Sequence, residues 1–135
     1  MHKPFLVVAA ALAALAVILG AFGAHSLRQV LPPESLNVFE TGVRYHFYHS
    51  FALLATGMLA GKFRRKWIKY AGNSFIAGII LFSGSLYALA FLQAAGNVGL
   101  RSIGILTPIG GLFFIAGWIF LAVAFSARED SMKSV

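Results

Sequence analysis

The stretch FLVVAAALAALAVILGAFGA, residues 5–24, decides how the rest of the chain is read. It carries no charge and has the length of about 20 residues that an α-helix needs to cross bilayer hydrocarbon. Lys3 and Pro4 precede it and small residues (Ala21, Gly23) stand near its end, so a secretory signal has to be weighed. The apolar core of a signal is about 7–15 residues, shorter than this run. A membrane-spanning helix is the better fit.

Three further apolar runs follow. The second covers residues 45–61, between Arg44 and Lys62. The third lies in the uncharged stretch 70–100 and is placed at 74–95. The fourth falls between Arg101 and Arg128, at 107–127. Thr107 reads as its N-cap and Pro108 as its first helical residue, where a missing N–H costs nothing. Deeper in a helix, proline would free a carbonyl that lipid cannot satisfy. Whether residues 96–106 dip back into the membrane stays open.

Composition agrees. Only 11% of the 135 residues are charged, against about 25% in a soluble domain, so lipid is the expected solvent and the length suits a single domain. The net charge of +7 does not point to nucleic acid, because the basic residues lie between apolar runs. With no cysteine there is no disulfide, thiol nucleophile or thiolate metal site.

Four spans put both termini on one side. That side holds Lys3, Lys62, Arg64, Arg65, Lys66, Lys69, Arg128 and Lys133; the other holds Arg28, Arg44 and Arg101. The positive-inside rule then places the termini and the basic loop in the cytoplasm. That loop could attract anionic headgroups, but orientation alone accounts for it. On the outer side, Pro32-Pro33 breaks the chain and Glu34 opens a helix, with Leu36, Phe39, Val43 and Phe47 at helical spacing. Glu40 and Arg44 are four apart, acid first, the favourable order for an ion pair. Residues 34–61 therefore read as one helix, interfacial at first and then spanning. The fold class is all-α: a polytopic four-helix membrane bundle with that interfacial extension.

Spans associate through small-residue contacts and hydrogen bonds, since lipid supplies no hydrophobic force between them. Gly20, Gly23 and Ala24, then Gly57 and Gly61, then Ser74, Gly78 and Ser85, then Gly110 and Gly117 supply such faces. They suit a compact bundle, a homo-oligomer or docking with another membrane protein.

Polar residues within the spans are few. At 100° per residue, Gly42, His49, Ser50, Leu53 and Gly57 fall within about 60° of His46, while Glu40, Arg44 and Phe51 point more than about 100° away. His25 closes the first span on the outer side, so three histidines are expected near one membrane surface. Imidazoles suit zinc, copper or iron, making His25, His46 and His49 the metal-ligand candidates. Neutral histidines bonded to backbone or to Tyr45 and Tyr48 are the preferred reading, with no metal and no cofactor. In the third span, Ser83, Ser85 and Tyr87 lie near the middle, where hydroxyls tend to bond back to the helix. His25, Tyr45, His49, Ser83, Ser85, Tyr87 and Thr107 form the candidate polar cluster. No Asp, Glu, Lys or Arg falls inside a predicted span, which argues against proton-coupled transport.

Catalysis finds little support. The four acids are Glu34, Glu40, Glu129 and Asp130, and the last two lie across the bilayer from the histidines. Ser50 or Ser85 could face a histidine, but no nucleophile elbow or orienting carboxylate accompanies them. No catalytic residue is assigned.

Residues 20–25 (GAFGAH), 41–49 (TGVRYHFYH), 82–87 (FSGSLY) and 107–111 (TPIGG) with Gly117-Trp118 occur in that order. Together they resemble the YgdD-like family of small membrane proteins, also called transmembrane-protein-256-like or domain of unknown function 423, over nearly the whole chain. The resemblance implies a bacterial inner-membrane protein with four spans. His25 and His49 match the family pattern, whereas members often carry glutamine at the position of His46. The expectation is a non-enzymatic membrane component that packs against itself or a partner. The alternative is a small channel or transporter for a neutral or metal solute.

Overall fold

A computed structural model of the chain describes residues 1–96 and 101–132, with side chains from 1–96 and 103–126. Lys133 lies outside the described residues, as do the side chains of Arg101, Arg128, Glu129 and Asp130. Helix α1 covers Lys3–Ala24, α2 Pro33–Leu59, α3 Arg65–Gly78, α4 Gly84–Ala94 and α5 Arg101–Met132. A 3-10 turn at Leu27–Gln29 follows α1, and a π-helical segment at Ile79–Ser83 joins α3 to α4 as one continuous rod. The chain is all-α, and three units (α1 with its following turn, α3 through α4, and α5) are long and apolar enough to cross a membrane. Helix α2, at 27 residues or about 40 Å, is long enough but not among the most apolar.

Local chemistry sets the element ends. Pro33 opens α2 where proline's missing N–H is harmless. Gly61, at φ +100°, makes the tight turn out of α2, a conformation that side chains with a Cβ resist. Two boundaries differ from the sequence reading. The third rod begins at Arg65, so Arg65, Lys66 and Lys69 occupy its first turns and not a loop. Thr107 is not an N-cap: α5 starts at Arg101 and runs through Pro108. Residues 101–106 are therefore helix and not a re-entrant linker, while 97–100 lie outside the described residues.

An internal proline costs a helix about 3 kcal/mol or more in isolation. Packing around it offsets that cost. Two residues on, Gly110 lets α5 lie directly against the backbone of Leu81 and Phe82 in the π segment, where even a Cβ would collide. The same α3–α5 seam is reciprocal. Phe114 of α5 fills the space over Gly78, and Phe75 of α3 fills the space over Gly117. Small residues here accept aromatic rings as well as close backbones, which is how helices cohere without hydrophobic drive.

The register of α2 follows from its contacts. Gly20 and Gly23 of α1 face Val43 and Phe39, and Gly57 faces Phe5 and Leu6, so α1 and α2 run antiparallel. Gly42 faces Leu86 and Tyr87, and Tyr45 packs on Phe82, so α2 is also antiparallel to the α3–α4 rod. Helix α2 thus lies between its neighbours along most of its length. One apolar core gathers Phe5, Leu53, Ile68, Phe75, Ile79 and Phe114, and a smaller one at the far end joins Leu27, Phe39 and Ala90.

Candidate functional site

The inward face of α2 carries the polar side chains, because 46, 49, 50, 53, 56 and 57 recur at helical spacing. Two of them close on their own helix: Ser50 donates to the His46 carbonyl at 2.8 Å and Thr56 to the Ala52 carbonyl at 2.7 Å. Such bonds use the hydroxyl proton locally, and burial closes off the remaining lone pairs.

His49 is held on every side. Its ring stacks on Phe114, centroids 3.5 Å apart and 8° from parallel, and Phe75 and Trp118 pack against it at 5.8 and 6.2 Å. Nδ1 lies 2.8 Å from the Tyr45 carbonyl, and the Trp118 indole N–H points at Nε2 from 3.3 Å. A carbonyl only accepts and an indole N–H only donates, so His49 carries its proton on Nδ1 and turns the Nε2 lone pair to Trp118. Both nitrogens are engaged, and His49 has no lone pair left for a metal.

His46 is different. Its Nδ1 meets the Tyr87 hydroxyl at 3.0 Å, while Nε2 makes no well-formed hydrogen bond, the Leu12 carbonyl of α1 being the backbone acceptor near the ring, although the residue is 2% exposed. Ser83, fully buried at the end of the π segment, also has an unpartnered Oγ. Ser83 lies one turn before Tyr87 on the same rod and at the level of Tyr45 and His46 on α2. Beyond them, Ser85 donates to the Phe82 carbonyl at 2.9 Å and meets the Thr107 hydroxyl at 2.6 Å. Ser85's single proton is thereby used, so Thr107 is the donor in that pair.

His25 does not join these residues. It caps α1, exposed, with Nδ1 2.9 Å from the Ala21 carbonyl. By the α1–α2 register it stands near Val38, eleven residues from His49, or about 16 Å along the axis. The three histidines therefore do not gather at one surface, contrary to the expectation from sequence. His25 and His49 were both counted as outer residues, but His49 sits deep in the bundle. Among the described residues, no group of three or more His, Asp or Glu converges on one point.

One sequence expectation about charge also changes. Glu40 and Arg44 make no ion pair with each other; both line an open cavity with Gly20, Gly23, Phe39 and Val43. An exposed i, i+4 pair gains too little to order two long side chains. By the α1–α2 register, Arg44 stands level with Leu19 of α1, five residues or about 7.5 Å from the end of that helix.

Sequence reading missed Phe114 and Phe75 as the walls around His49. The spacing Gly78–Phe114 and Phe75–Gly117 was the available signal, but nothing local ties it to a histidine on α2. Trp118 stood in a quoted motif without a role.

A family described as "Protein of unknown function (DUF423)" matches residues 19–111. A UPF0382 membrane protein, YwdK of Bacillus subtilis, is 44% identical over 123 residues, covering 90% of this chain and 95% of its own length. A UPF0382 membrane protein of Haemophilus influenzae is 42% identical over 122 residues, covering 90% and 93%. One from Staphylococcus saprophyticus is 41% identical over 121 residues, covering 90% and 95%. No solved structure matches the chain.

Proposed function

The chain belongs to the DUF423 family and is an integral membrane protein, and from that premise we propose that it is a non-enzymatic packing and interaction component of the plasma membrane. The observation that carries this reading is the state of its inward polar groups. His49, Ser50, Thr56, Ser85 and Thr107 are each bonded within the bundle. Four surface cavities of about 290–350 Å³ are lined by other residues, and none includes His46, His49, Ser83, Ser85 or Tyr87.

The chain crosses the bilayer four times, α2 included, with the termini and residues 60–69 in the cytoplasm. Two contacts support this sidedness. The terminal nitrogen of Met1 bonds the Ala60 carbonyl and the His2 N–H bonds the Gly57 carbonyl, so the start of the chain sits beside the basic turn. Basic residues at one end of the bundle favour the inner face.

Unpartnered His46 Nε2 and Ser83 Oγ favour one rival reading, a passive path for a neutral solute. Flux measurements decide between them. Purified protein in liposomes is expected to pass urea or glycerol no faster than empty vesicles do. Solute flux that disappears in Ser83→Ala or Tyr87→Phe would overturn the packing reading.

A further inference from the structure

Helix α2 has a second face, turned away from both neighbours. Asn37, Glu40, Arg44, Tyr48, Phe51 and Met58 are all exposed, and all fall within about 40° of Arg44 at 100° per residue. Asn37, Arg44, Phe51 and Met58 repeat every seven residues, the period of a helix seam packed against another helix.

This stripe differs from the exposed face of α1 at the same level of the bundle. Beside it, α1 shows lipid Val17, Ile18 and Phe22. On α2 the corresponding belt holds an arginine and, one turn outward, a glutamate. Among the described residues the two make no ion pair, although spacing allows it, and the adjoining cavity of about 310 Å³ is lined by Gly20 and Gly23 together with Phe39 and Val43.

We propose that this stripe is the interface with a second copy of the same chain, packed α2 to α2 about a two-fold axis along the membrane normal. All copies share one orientation in the membrane, so the two α2 helices run parallel. A parallel pair brings a residue near those four or five positions further along the partner helix, as in coiled-coil charge pairs. Glu40 then reaches the partner's Arg44, and symmetry makes the same bond twice. The stripe is self-complementary in charge: one acid and one base, one turn apart, each lacking a mate at home. Tyr48, Phe51 and Met58 continue the contact toward the inner side. The inference rests on the interaction reading above and names its partner.

The chain contains no cysteine, so single cysteines can be read without background. Oxidative crosslinking in native membranes is expected to trap dimers through Tyr48→Cys, Phe51→Cys and Met58→Cys. Val7→Cys and Leu112→Cys, equally exposed on α1 and α5, should give several-fold less. In the Phe51→Cys background, Glu40→Arg and Arg44→Glu should each weaken the crosslink several-fold, and the double exchange should restore it. Equal crosslinking on all helices, or a double exchange no better than either single one, overturns the proposal. Crosslinks running to a different protein would also overturn it while sparing the interaction reading, so the two failures are distinguishable.

Discussion

Helices α1 and α2 lie side by side and solve opposite problems. Helix α1 buries four of its 22 residues and shows lipid an almost unbroken aliphatic surface; α2 buries ten of its 27. The first is a good membrane helix that packs along α2 and leaves its other faces open. The second is a poor one that protein holds in place. His46, His49, Ser50 and Thr56, which lipid would penalise, are turned inward and bonded, to the helix itself or to Tyr87 and Trp118. Position in the bundle, not composition, is what lets α2 accompany its neighbours.

Substitutions can break that contrast in order of size. His49→Ala should be the most damaging, because it removes the ring stacked on Phe114 and orphans the Trp118 N–H. A loss of about 2–4 kcal/mol is expected from cavity and lost bond together. Denaturant titration in bicelles would measure it, and a loss below that range would mean His49 is not a packing centre. Tyr87→Phe comes next. It strips His46 of its one side-chain partner and should cost about 1–2 kcal/mol on the same assay.

Ser83→Ala sharpens the comparison through its sign. Its hydroxyl is buried without a partner, so removing it should be neutral or stabilising by up to about 1 kcal/mol. A clear destabilisation would show that the hydroxyl has a partner, such as a bound water. On α1, Val17→Ala should stay within about 0.5 kcal/mol, because that side chain is 59% exposed to lipid. A larger loss there would mean that α1 is covered by protein.

The architecture was legible because a twenty-residue uncharged run has few readings. The inward placement of His46 and His49 was legible from angular spacing alone. Depth was not. Angles say which face a residue occupies and nothing about how far along the axis its partner stands, so His25 and His49 were grouped across about 16 Å. Pro108 misled for a related reason. Thr-Pro reads equally well as a cap or as an internal kink, and the apolar residues before it suit helix and linker alike. The π segment at 79–83 has an ordinary helical composition; only its hydrogen bonds reveal it.

The central claim is that the inward polar residues hold the bundle together and bind nothing of their own. The nitrogen-15 spectrum of His49 in bilayers tests it most directly. A single neutral form is expected, protonated at Nδ1 and bare at Nε2, unchanged by added zinc or copper. A metal-shifted Nε2, or a proton on that nitrogen, would contradict the account.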